Sequence, residues 1–318
     1  MVLLTRPSGD AAGETVGGGP ERRRRPLRRA LKYLAATVVV GTAATAGVVL
    51  FLNHLSGTAP VAERCSAQLD GTNWYLSPAQ ADNAALITGT AVRRDLPARA
   101  ATIALATALQ ESKLSNIAHG DRDSLGLFQQ RPSQGWGSEE QILDPVYSTN
   151  AFYDGLVQVG GYEDMEITDA AQAVQRSAYP EAYARHEVRS RAWASSLTGH
   201  SPASLTCEIA PVDDETLLAA APAQDVVAGR LGRDLGLGPS GATEGSALVE
   251  VDAAPLTPGE AERGAWAVAH WAVATAAETN AVEVRVADQV WTRERAEWAE
   301  AAEPLPAGLV QILPAVAA

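Results

Sequence analysis

Ala108-Leu109-Gln110-Glu111-Ser112 ends a run that is otherwise uncharged from Ala100, and across a polar loop the chain continues Leu125-Gly126-Leu127-Phe128-Gln129-Gln130-Arg131. Pro97 opens the run. Ile103, Leu105, Leu109 and many alanines make it apolar nearly all round, the pattern of a central, buried helix over 98–112. Glu111 then stands at the end of that helix. Burial disfavours a charged carboxylate, and so does the negative end of the helix dipole. Both raise the pKa, as a general acid at neutral pH requires. A glutamate at a helix end is most often simply solvated, so the residues around it decide the reading.

Further helices flank the run. Ser77-Pro78 supplies an N-cap and a first-turn proline for a helix to about Arg93. Asp144-Pro145 opens another, and Thr168 caps a third with Ile167 as its staple. Pro180 separates that one from a last helix, which ends near Gly199. No stretch between 65 and 207 shows sustained period-two alternation. The connection from Ser115 to Leu143 is rich in turn residues yet holds Leu125, Leu127, Phe128 and Trp136, which reads as an ordered, functional loop.

Glu111-Ser112 followed by Gly126-Leu127-Phe128-Gln129 resembles the signature of lysozyme-like lytic transglycosylases and goose-type lysozymes. Gly120-Asp121-Arg122 resembles an element of the goose-type enzymes. The stretch 76–199, with Ala108 to Ser112 and Leu125 to Gly137 as its hallmarks, is similar to a transglycosylase-like domain of membrane-anchored actinobacterial cell-wall proteins. The resemblance implies a lysozyme-like helical fold and a cleft for peptidoglycan glycan strands. Glu111 matches the family's acid/base, which protonates the glycosidic oxygen of a MurNAc-GlcNAc β-1,4 bond without a cofactor. In a lytic transglycosylase the same residue then takes the proton of the sugar's own 6-hydroxyl, leaving a 1,6-anhydro end.

A muramidase would hydrolyse the same bond with a second carboxylate, and Asp121 matches that position. A second goose-type carboxylate position holds Arg131 here, and Arg176-Ser177-Ala178-Tyr179 departs from the family's cleft-lining motif. These departures favour the transglycosylase route over hydrolysis. They also keep open a catalytically weak wall-binding or assembly protein. Gly126, Gln129, Trp136, Tyr179 and Tyr183 are the candidate substrate-binding residues. Each has a plainer reading: turn formation for Gly126, backbone capping for Gln129, core packing for the aromatic residues.

The remaining sequence sets a context. Residues 1–33 read as a disordered basic tail, and 34–52 as an uncharged, uncleaved signal-anchor of membrane-spanning length behind an arginine cluster, with a cleaved signal peptide as the alternative. This would put the N-terminus in the cytoplasm, the membrane as a partner, and the domain over 65–207 outside, after a linker over 53–64. Cys65 and Cys207 bracket that domain, and a disulfide between them suits an oxidising compartment; two unrelated buried thiols are the alternative.

Residues 208–259 read as an acidic linker with a weak short helix from Leu217 to Leu231, and 260–318 as a small α/β accessory module with strands near 282–286 and 309–313. Trp266, Trp271, Trp291 and Trp298 there fit either a glycan surface or a core. The expected whole is mainly α: a lysozyme-like helical domain after one transmembrane helix, plus that module. The net charge of −13 argues against nucleic acid as a partner, and the five scattered histidines have no metal-ligand spacing.

Overall fold

A computed structural model describes residues 62–176, 180–242 and 246–317, together with helical positions 31–34, 37, 41, 45, 47 and 48. Residues 61–318 form one compact unit, and residues 1–60 are a separate one. The first strand, β1 (Arg64–Leu69), turns back on β2 (Thr72–Leu76) through Asp70-Gly71. Both turn residues have positive φ, 50° and 74°, which is the two-residue hairpin geometry that Asp-Gly favours. The helices α1 (Pro78–Arg93), α2 (Ala98–Ser112), α3 (Glu139–Leu143), α4 (Pro145–Leu156), α5 (Ile167–Gln175) and α6 (Glu187–Leu197) follow, and α2 is buried from Ala100 to Leu109. Then β3 (Leu205–Glu208) returns to pair antiparallel with β1. Cys65 lies directly opposite Cys207 in that pair, and the two are joined as a disulfide.

The chain continues with α7 (Ala220–Leu235), β4 (Gly241–Ala242), β5 (Val249–Asp252), α8 (Ala261–Ala274), α9 (Ala276–Thr279), β6 (Ala281–Val286), β7 (Gln289–Thr292), β8 (Glu297–Glu300) and β9 (Leu309–Pro314). These strands make a six-stranded antiparallel sheet in the order β4-β5-β9-β6-β7-β8. Pro222 falls in the first turn of α7, where a missing N–H costs nothing. The stretch 208–259, read from sequence as a linker, thus carries a four-turn helix and two strands.

The C-terminal part packs into the helical part. His270 of α8 donates from Nδ1 to the Ser196 carbonyl of α6 at 2.7 Å. Trp298 Nε1 donates to the Leu205 carbonyl at 2.8 Å, and Trp291 Nε1 to Thr206 Oγ1 at 2.9 Å. Trp271 Nε1 donates to the fully buried Asp234, which also accepts from Arg233. Where α6 ends, Gly199 has φ 79°, and a Cβ there would fall 1.9 Å from the Arg263 carbonyl, so only glycine lets α8 come this close.

Two expectations are corrected. The fold is not mainly α, because two antiparallel sheets hold about 17% of the chain as strand. The strands around the disulfide are only four to six residues long and bury two alternate side chains each, Cys65 with Ala67 and Leu205 with Cys207, too little for a visible period. Nor does the membrane-spanning helix appear: among the described residues no helix is long and apolar enough to cross a membrane. The longest of the compact unit, α1 and α7, have 16 residues, roughly 24 Å against a bilayer core of about 30 Å. Most of the expected anchor, 34–52, lies outside the described residues.

Candidate active site

The end of α2 is shaped by two left-handed residues, Lys113 (φ 58°) and Leu114 (φ 57°). The Leu114 N–H returns to the Ala108 carbonyl at 3.0 Å and its side chain is fully buried, so the chain reverses sharply after Glu111-Ser112. Glu111 is left half-buried in the last turn. Burial raises its pKa, while hydrogen bonds from Tyr183 and Gln175 pull the other way, and the balance stays above the ordinary carboxylate value.

Tyr183, fully buried on the 3₁₀ segment Pro180–His186, donates from Oη to Glu111 Oε1 at 2.6 Å. Gln175 ends α5, and its Nε2 also donates to the Phe128 carbonyl at 2.7 Å. The next residue to Glu111 serves the loop: Ser112 Oγ lies 2.7 Å from the Leu127 carbonyl. Thus α2, α5 and the 3₁₀ segment meet at one carboxyl group, and the loop is tied to its neighbours Ser112 and Gln175.

The loop residues hold each other. Gly126 has φ 75°, and a Cβ there would sit 2.6 Å from the Ile142 carbonyl, so the glycine serves the approach of α3. Gln129 Nε2 lies 3.3 Å from the Gly126 carbonyl and 3.4 Å from that of His119, which is backbone capping. Phe128 stacks on Phe152 with centroids 4.6 Å apart. Trp136 is half-buried against the core.

Arg131, at the position where a carboxylate would be expected for hydrolysis, pairs with Asp123 at 2.6 Å. The Ser133 contacts and Arg131 hold the Asp123 carboxyl far below the usual carboxylate range. Asp121 is 93% exposed beside Arg122, so it stands in solvent rather than against Glu111. Tyr179 lies outside the described residues. Trp266, Trp271 and Trp291 are buried and Trp298 packs edge-on against Trp266, which makes them core.

Sequence reasoning singled out Glu111 and Tyr183 but missed Gln175 as a neighbour of the carboxyl group. It also missed Gln110, whose Oε1 accepts from Arg185 Nη2 at 2.8 Å. Gln110 lies within the hallmark stretch 108–112 and Gln175 directly before Arg176, but both act through spacing that only the folded chain creates. A recess of about 310 Å³ opens elsewhere, between the α1–α2 turn and the start of α8, and holds none of the expected site residues. Among the described residues no three His, Cys, Asp or Glu side chains gather as a metal site. No family model matches the chain, and no curated protein sequence matches it.

Proposed function

We propose that this protein cleaves the β-1,4 bonds between MurNAc and GlcNAc in peptidoglycan glycan strands, without water, with Glu111 as the single acid/base. The observation that carries the reading is a half-buried carboxyl group with a raised pKa at the end of a buried helix, braced by Tyr183 and Gln175, while Asp121 stands in solvent. Protonated Glu111 gives its proton to the glycosidic oxygen as the C1–O bond breaks and positive charge develops on the ring. The resulting carboxylate then accepts the proton of the C6 hydroxyl, whose oxygen closes on C1. Glu111 is protonated again, and the product carries a 1,6-anhydro end. An inverting hydrolase would need a second carboxylate about 6.5–9.5 Å from the first to hold water. Asp123 is engaged by Arg131 and Ser133, and Asp121 faces outward, which favours the non-hydrolytic route. The disulfide between Cys65 and Cys207 supports placement of this unit in an oxidising, extracytoplasmic space.

The test is digestion of purified peptidoglycan with the protein and with its Glu111→Gln variant, reading fragments by mass spectrometry. The expected result is 1,6-anhydro ends from the parent and none from the variant. Reducing ends would replace the lyase with a hydrolase. No release, with both proteins still sedimenting with the wall, would make this a binding protein.

A further inference from the structure

The three segments that meet at Glu111 from α2, α5 and the 3₁₀ segment each place an exposed cation within two residues of the site residue. Lys113 follows Glu111, Arg176 follows Gln175, and Arg185 follows Tyr183. Lys113 and Arg176 are the left-handed residues that end α2 and α5, with φ 58° and 53°. None of the three forms an ion pair among the described residues, whereas Arg131 is engaged by Asp123 and Arg122 lies 3.9 Å from Asp121. The 3₁₀ segment also carries one exposed anion, Glu181, two residues before Tyr183.

Cations at helix C-termini complement the helix dipole, which accounts for Lys113 and Arg176. It does not account for Arg185. That residue lies just before the N-terminus of α6, where the dipole disfavours a cation. Arg185 is nevertheless held in place: Nη2 donates to Gln110 Oε1 at 2.8 Å and Nε to His186 Nε2 at 3.2 Å. Gln110 adjoins Glu111 in sequence. The other guanidinium N–H groups of this exposed side chain have no hydrogen-bond partner among the described residues, and a guanidinium edge matches a carboxylate in two parallel hydrogen bonds.

We propose that Lys113, Arg176 and Arg185 form a cationic rim that reads a carboxylate on the glycan, with Arg185 as its anchor. This rests on the glycan-cleavage reading and assigns the residue that distinguishes an acidic strand from a neutral one. The experiment uses the full chain carrying Glu111→Gln, so that no turnover intervenes. Calorimetry measures its affinity for soluble peptidoglycan strand fragments with free carboxylates, and for the same fragments with those carboxylates converted to amides.

Amidation is expected to weaken binding about tenfold, the loss of one charge-assisted contact. Adding Arg185→Gln is expected to erase the difference between the two ligands, and Arg185→Lys to restore part of it, with thermal melting unchanged in both. Equal affinity for the two ligands in the Arg185 protein would overturn the rim while leaving glycan binding intact. Binding of neither ligand would overturn both the rim and the glycan reading.

Discussion

Tyr183 Oη donates a 2.6 Å hydrogen bond to Glu111 Oε1 across 72 residues of sequence. It stabilises the carboxylate form of a group that burial pushes toward the acid form. Tyr183→Phe removes the donor, so the Glu111 pKa rises further. In the proposed reaction Glu111 starts protonated, so activity should fall as pH rises through its pKa. The alkaline limb of the pH–rate profile should therefore move to higher pH. The maximal rate should drop about tenfold, because the carboxylate loses its brace for the second step. An unmoved limb would remove Tyr183 from the mechanism.

Glu111→Gln should abolish turnover and yet raise thermal stability at neutral pH. A carboxyl group whose folded pKa lies above its unfolded value of 4.5 contributes fully below that value, and its contribution is lost as pH rises through the folded pKa. The amide is spared that loss. Melting curves of parent and variant should diverge at pH 7 and converge below about pH 4.5. A variant less stable than the parent at pH 7 would mean that the Tyr183 and Gln175 bonds outweigh the burial.

His270 predicts a second pH effect. It is fully buried and its pKa is lowered to about 4 from an ordinary 6.5, because burial disfavours the imidazolium. The unfolded chain takes up a proton below pH 6.5 that the folded chain refuses. Stability from this group is intact above that pH and declines as pH falls toward about 4, by about 3 kcal/mol in all. Urea unfolding at pH 7 and pH 4 should show a loss smaller by that amount in His270→Asn than in the parent. Parallel losses in the two proteins would contradict the assignment.

The disulfide closes a loop with a sequence separation of 142. In the chain-entropy model such a loop is worth about 5 kcal/mol. The Cys65→Ala/Cys207→Ala protein should unfold at markedly lower denaturant. Guanidinium titrations that coincide for the two proteins would show that pairing between β1 and β3 suffices without the bond.

Legibility differed between parts of the chain for local reasons. The bounds of α1 and α2 are readable because Ser77-Pro78 and Pro97 punctuate the backbone where the helices begin. The strands at 281–286 and 309–314 are readable from their apolar alternation. The hairpin over 64–76 is not, although Asp70-Gly71 marks its turn, because its buried side chains are only a cysteine, an alanine and a leucine. Glu111 stands out as the lone charge from Ala100 to the end of an apolar helix, whereas Asp121 shares its motif only in sequence and points into solvent.

By itself the sequence determined what local rules govern: where helices start and stop, which helix is buried, and that one carboxylate ends it. The tertiary structure alone decided which side chains reach that carboxylate, because Tyr183 and Gln175 lie more than sixty positions away and arrive only when α5 and the 3₁₀ segment pack against α2. It also decided that residues 61–318 form one unit, since the buried face of α8 gains its partners in α6, β3 and the second sheet only after the whole chain has closed. Periodicity shows that a residue is buried, but a hydrogen bond or a pKa shift depends on what it is buried against.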